Sequence, residues 1–276
     1  MSIVEKAVGK TRKSSVGRQG TDSPVVKIHG ATKRPKAQIA ENAVEVSHLS
    51  ERGLITVLED NNLSKAFRFL KRSLLAKIYD PSDSDSDAGK VIMVSSAMPG
   101  AGKSFLAFNL AASIAREQLI EVVLIDADTV RHNLSNILGL DDMQGLVEIL
   151  MNGDVSAGIL DTDLPGLRFV PSGLGSEDAT ELLASEYMSA TLASLANTNT
   201  VVIVDATPLL VSSEADAMSA HVDHTVVVVE AGETSADEID SVLQMLKKYG
   251  SPVSLVMNKM KSSSKVGASD YYSIQY

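Results

Sequence analysis

Residues 91–104 read Val-Ile-Met-Val-Ser-Ser-Ala-Met-Pro-Gly-Ala-Gly-Lys-Ser, and Phe105-Leu-Ala-Phe-Asn-Leu110 follows. A short run of β-branched and apolar residues gives way to a glycine-rich turn, and the turn opens a helical pattern marked by Leu106, Leu110 and Ile114. This is the strand–loop–helix context of the phosphate-binding P-loop, with Ala97 in place of its usual first glycine. The chemistry explains the composition. Glycines let backbone N–H groups converge on phosphate oxygens, the helix N-terminus adds positive potential, Lys103 supplies a mobile cation and the Ser104 hydroxyl reaches Mg²⁺.

Working outward, short apolar runs recur at 122–125, 167–170, 201–204, 225–229 and 253–257, separated by helical patterns at 103–118, 142–151, 178–196, 212–220 and 235–249. Such alternation predicts βαβ units, and near-continuous Val/Ile/Leu runs predict strands buried on both faces. The expected fold is α/β, a three-layer α/β/α sandwich with a mainly parallel sheet. Two further runs end in carboxylates. Val123-Leu-Ile-Asp126-Ala-Asp128 and Val201-Val-Ile-Val-Asp205 place acids at the C-terminal ends of strands, where ligands bind in open α/β sheets. Asp205 fits the Walker B pattern, whose carboxylate binds Mg²⁺ through water or a hydroxyl, and Asp126 and Asp128 suit metal binding or proton acceptance.

Composition narrows the alternatives. The 276 residues are 44% hydrophobic and 22% charged, values of a globular chain. No stretch approaches the ~18 consecutive apolar residues of a spanning helix, and no secretory h-region opens the chain, so cytoplasmic residence is expected. The lack of cysteine excludes disulfides and thiolate catalysis, and five scattered histidines offer no metal-ligand spacing. The net charge of −10 divides into +7 for residues 1–40 and −17 for the remainder. An acidic body of this kind is a poor partner for nucleic acid. The predicted organisation is a disordered basic arm at 1–45, an amphipathic helix and flexible linker at 46–89, the P-loop domain at 90–262 and a polar tail at 263–276 carrying Tyr271, Tyr272 and Tyr276. Within the second segment, Leu63, Ala66, Phe67, Leu70, Leu74 and Ile78 form the apolar stripe of the helix.

The three motifs, together with Val170-Pro-Ser-Gly173, Thr180-Glu-Leu-Leu-Ala-Ser185, Pro208-Leu-Leu-Val-Ser-Ser-Glu214-Ala and Met257-Asn258-Lys259, resemble the bacterial tyrosine kinases of exopolysaccharide and capsule biosynthesis. Similarity runs over about 63–276 and is nearest to the autokinases encoded beside exosortase systems. The resemblance implies ATP and Mg²⁺ as cofactors, with Pro99, Gly100, Ala101, Gly102, Lys103, Ser104, Phe105 and Asn258 around the nucleotide. It implies Lys103, Asp126, Asp128 and Asp205 in catalysis, with Ser104, Asp128 and Asp205 toward the metal. Tyr271, Tyr272 and Tyr276 become the phosphoacceptors, chiefly in trans. It further implies a membrane chain-length regulator as activator, a phosphotyrosine phosphatase and a possible homo-oligomer. At the family's oligomerisation motif of glutamate, arginine and arginine this chain has Lys65, Arg68 and Lys71, and Thr129-Val-Arg-His132 replaces its usual arginine and proline after the second motif. Two other classes share these features: an ATP-dependent positioning or partitioning switch, which normally carries lysine where this chain has Met98, and a nucleotide-binding scaffold with weak kinase activity.

Overall fold

The computed structural model describes residues 43–50, 54, 57–59, 61–79, 90–176, 178–196 and 199–260. Most of the expected basic arm, the linker at 81–89 and the three tail tyrosines lie outside them. Seven strands form one sheet in the order β3-β4-β2-β5-β1-β6-β7. They are β1 (Lys90–Ser96), β2 (Glu121–Asp126), β3 (Leu160–Asp161), β4 (Leu167–Val170), β5 (Thr200–Asp205), β6 (His224–Glu230) and β7 (Val253–Asn258). All neighbours run parallel except β3, which pairs antiparallel with β4 at the edge.

The helices are α1 (Asn62–Ile78), α2 (Lys103–Ala115), α3 (Asn133–Leu138), α4 (Leu146–Asn152), α5 (Ala179–Leu183), α6 (Glu186–Leu195), α7 (Ser213–Met218) and α8 (Ala236–Lys247). Strand alternation divides the core. Ile92, Val94, Val122, Leu124, Val201 and Ile203 meet α1 and α2 on one face. Met93, Val123, Ile125, Val202 and Val204 meet α4, α6, α7 and α8 on the other. The three-layer sandwich follows from this division, since only burial on both faces tolerates such strands.

Several local expectations need correction. The helix marked in sequence by Leu106, Leu110 and Ile114 buries far more than that row: every residue from Leu106 to Ala115 is buried, because α1 covers the side that would otherwise face water. In α1 the buried row is Ser64, Phe67, Lys71, Leu74 and Ile78, while Leu63 and Ala66 are exposed. Lys71 occupies an inward position because its ammonium reaches the Ser113 carbonyl at 3.2 Å and the Glu117 carboxylate at 2.5 Å. Its stem packs while its head stays paired. The helix expected at 178–196 is broken at Ser185, whose hydroxyl turns back to the Leu182 carbonyl at 2.6 Å instead of capping α6. β7 lies at the sheet edge and leaves Leu255 and Met257 exposed, so it is not buried on both faces. Val44, ahead of α1, forms a parallel bridge with Thr162.

Outside the P-loop region one buried titratable group ties α1 to the sheet. His224 contacts the Ser254 hydroxyl through Nε2 at 2.9 Å, and the Lys77 ammonium donates to the same hydroxyl at 2.9 Å. Burial first, and the Lys77 charge second, push the imidazole down to about 4. A base with a depressed folded pKa stays neutral in the fold while the unfolded chain gains a proton below about 6.5. Stability associated with His224 is therefore complete above that pH and declines as pH falls toward 4. Urea midpoints should drop more steeply between pH 6.5 and 4 for the wild type than for His224→Gln; parallel profiles would contradict this.

Candidate active site

The strand order decides what meets at the site. β5 lies between β2 and β1, with Asp126 opposite Asp205 and Asp205 opposite Val94. Two carboxylates and the root of the P-loop thus share one edge of the sheet. From β1 the chain crosses to β2 on one side, and after β5 it crosses past β1 to β6 on the other, which makes this end of the sheet the switch-point crevice of an open α/β fold.

Backbone and hydroxyl contacts lace the two central loops together. The Ala206 N–H donates to the Val94 carbonyl at 3.0 Å, the Leu209 N–H to the Ser96 carbonyl at 2.8 Å and the Ser95 hydroxyl to the Thr207 carbonyl at 2.6 Å. Within the P-loop, Gly100 and Gly102 have φ of 90° and 93°, the left-handed region that favours glycine. Gly102 is the N-cap of α2, so the amides that follow open into the crevice at a helix N-terminus. Lys103 is 6% exposed and lies close enough to Asp205 for its charge to be felt there.

The three acids have different surroundings. Both oxygens of Asp205 are buried without a hydrogen-bond partner. Burial, then the charge of Asp126, push its pKa up to about 8; the Ser104 hydroxyl and Lys103 oppose the shift without closing a well-formed bond to it. Asp126 is held: its Oδ2 accepts from the Ser135 N–H and hydroxyl, each at 2.8 Å, and its Oδ1 from the Asp128 N–H at 3.2 Å. Burial nonetheless raises its pKa. Asp128 accepts from the Arg131 N–H at 3.0 Å and the Asn133 amide at 3.1 Å. A divalent cation needs oxygen donors not already committed to the protein, and Asp205 with Ser104 can supply them beside a bound phosphate.

The residues that hold these acids were not apparent from the sequence. Ser135 lies nine positions after Asp126 with no motif between them, and Ser172 reaches Ser135 from the end of β4, its own hydroxyl 2.5 Å from His132 Nδ1. Glu214, quoted above only for its resemblance, is buried and accepts from the hydroxyls of Thr129, Thr180 and Ser212 at 3.2–3.4 Å. It lines a cavity of about 300 Å³ together with Asp128, Arg131, Thr207 and Val211. Asn258 stands beside the P-loop, with its amide donating to the Ala101 carbonyl at 2.8 Å. The structure thus gathers residues 99–105, Asp126, Asp128, Asp205 and Asn258 at one edge; Tyr271, Tyr272 and Tyr276 lie outside the described residues.

Comparison with known proteins agrees with this geometry. The family model described as an AAA domain matches residues 89–257. Tyrosine-protein kinase CpsD of Streptococcus pneumoniae is 31% identical over 190 residues, covering 67% of this chain and 83% of that protein. Tyrosine-protein kinase ptk of Acinetobacter johnsonii is 27% identical over 233 residues, 83% of this chain but only 31% of ptk. Among solved structures, the kinase domain of Escherichia coli tyrosine kinase ETK superposes with a TM-score of 0.63 at 26% identity, covering 77% of this chain and 85% of that one. A plasmid partition protein from Borrelia burgdorferi shares the fold alone, at 21% identity and a TM-score of 0.51. By its AAA domain, its P-loop crevice and its likeness to CpsD, the chain belongs to the bacterial tyrosine-protein kinase family of P-loop nucleotide-binding proteins.

Proposed function

We propose that the chain transfers the γ-phosphoryl group of ATP to tyrosine hydroxyls of its own C-terminal tail, chiefly on a neighbouring copy, and thereby regulates the assembly of an exported polysaccharide. The observation that carries this reading is Asp205, a buried carboxylate without hydrogen-bond partners facing the P-loop Lys103 and Ser104, in a chain whose relatives are named tyrosine-protein kinases.

The amides of Gly100 to Ser104, at the N-terminus of α2, and the Lys103 ammonium hold the phosphate oxygens and offset charge there as the bond to the leaving group lengthens. Ser104 and Asp205 would hold Mg²⁺, directly or through water, with whichever of Asp126 and Asp128 does not take the proton leaning toward it, and the ion would offset charge on the phosphates. A tyrosine oxygen forms the new bond to the γ-phosphorus, the bond to the β,γ-bridging oxygen breaks, and ADP departs. A phenol with pKa near 10 must shed its proton as it attacks. Asp126 and Asp128 are the candidates to receive it: Asp126 because burial raises its proton affinity, Asp128 because it lines the cavity open beside the crevice.

Tyr271, Tyr272 and Tyr276 serve as acceptors; they follow a mostly polar stretch of sequence from Lys261 to Ser269. Each phosphate adds about −1.5 to −2 charges to an acidic molecule, so repulsion releases the modified tail from a neighbour's site. In this scheme a chain-length-regulator protein recruits the kinase to the cytoplasmic face of the inner membrane, and a phosphotyrosine phosphatase resets it.

Three substitutions test the roles. Lys103→Met keeps the apolar stem and removes the cation, so the fold should persist while phosphotransfer is lost; wild-type autophosphorylation would refute the P-loop assignment. Asp205→Asn keeps the shape and removes a buried carboxyl whose charged form has no hydrogen-bond partner. Its nucleotide-free unfolding midpoint should hold or rise while phosphotransfer falls by roughly 100-fold or more; a marked loss of stability with normal activity would make Asp205 structural. Replacing all three tail tyrosines with Phe keeps the rings and deletes the nucleophiles. Phosphate incorporation should collapse while ATP binding persists, and undiminished incorporation would remove the tail from the scheme.

A further inference from the structure

Asn258 ends β7, the last strand of the sheet, and its side chain crosses to the P-loop. Its amide donates to the carbonyl of Ala101 at 2.8 Å. Ala101 immediately precedes Gly102, the left-handed residue at which the loop turns into α2. A Cβ on Gly102 would overlap the Asn258 amide nitrogen, so the fit is close from both sides. Only a donor suits this place, because the partner is a carbonyl oxygen that can only accept.

Asn258 is held by contacts to β6. Its own carbonyl accepts from the Ala231 N–H at 3.0 Å, and it lies opposite Glu230 in the parallel register of β6 and β7. Lys259, the next residue, takes a left-handed conformation with φ of 57° and pairs its ammonium with Glu230 at 2.8 Å. The end of β7 is therefore braced against β6 on both sides of Asn258, and the side chain projects from that brace onto a single peptide group of the loop. A short side chain on a fixed strand end has little freedom to relax away from its partner.

We propose that Asn258 is a positioning residue for phosphate binding: it latches the Ala101–Gly102 peptide so that the amides of Gly102, Lys103 and Ser104 are already aimed before nucleotide arrives, and it does not select the base. This rests on the reading that the P-loop holds a triphosphate. A latch acts in the empty protein and on any ligand whose phosphates use those amides, whereas a residue that reads adenine acts only when adenine is present. The loss of one well-placed hydrogen bond that orders a loop corresponds to a weakening of roughly fivefold to tenfold.

The test uses the purified full chain and two variants. Asn258→Ala removes the side chain, and Asn258→Asp keeps its volume without the N–H. Hydrogen–deuterium exchange on the nucleotide-free proteins should show faster exchange over residues 98–105 in both variants, with β5 as protected as in the wild type. Equilibrium binding of ATP, GTP and inorganic triphosphate to Asn258→Ala should weaken by a common factor of about five to ten. Unchanged exchange over 98–105 would overturn the latch, and so would a loss confined to ATP with triphosphate unaffected. A wild type that binds no triphosphate at all would refute the phosphate reading instead, while exchange in the empty proteins would still report on the latch.

Discussion

A carboxylate held out of water with no donor to satisfy it is the constraint on which this structure turns. Asp205 sits at the end of the central strand pair, and β5 can bring it there only because β1 and β2 flank it in the sheet and helices cover both faces. Ionising a carboxyl buried without a partner is costly, and the nearby Asp126 adds to that cost, which is why Asp205 holds its proton up to about pH 8. The two apolar cores either side of the sheet offset the cost of its burial. Proteins depart from local consistency in this way mainly where a ligand completes the arrangement, and a cation bound with phosphate is what an oxygen pair beside Lys103 and Ser104 fits.

The same constraint explains the division of labour among the three acids. Asp126 and Asp128 are engaged by Ser135, Arg131 and Asn133, so the loop after β2 is a preformed scaffold. Asp205 is not, and its oxygens remain for a ligand. Behind them, α2 carries the P-loop and is buried on every side, since α1 seals its outer surface through Phe67 and the Lys71–Glu117 pair. The segment before the P-loop domain thus packs directly on the helix that opens from the phosphate cradle. The turn of Lys71 toward α2 also means that one of the three positions matched to the family's oligomerisation motif is occupied within the chain.

What could be read from the sequence was what depends on short-range pattern. Apolar β-branched runs announced β1, β2, β4, β5 and β6 because buried parallel strands need such side chains on both faces, and acids at the ends of two of them announced the crevice. Long-range choices were not legible. Hydropathy assigned Leu63 to the inner stripe of α1, but the inner row at 64, 67, 71, 74 and 78 takes in a lysine whose partner lies on another helix. The break at Ser185 depends on a hydroxyl choosing one helix end over the other. α3, rich in Asn and Ser, has weak helical propensity and is held by the Ser135–Asp126 contacts. Asn258 was recognisable as a residue of the site by resemblance, but its contact with Ala101 depends on the edge strand returning to the P-loop.

The fold alone does not separate a kinase from a nucleotide-dependent switch, as the likeness to a plasmid partition protein shows. Met98, 41% exposed at the mouth of the P-loop, stands where the switch class normally carries lysine. What distinguishes a kinase is that the crevice moves phosphate onto the chain instead of only hydrolysing or sensing nucleotide. Intact-mass spectrometry of the purified, phosphatase-treated full chain, with and without Mg-ATP, tests it most directly. Added mass corresponding to one or more phosphoryl groups should appear only with Mg-ATP and map to the last six residues. An unchanged mass in a protein that demonstrably binds ATP would contradict it.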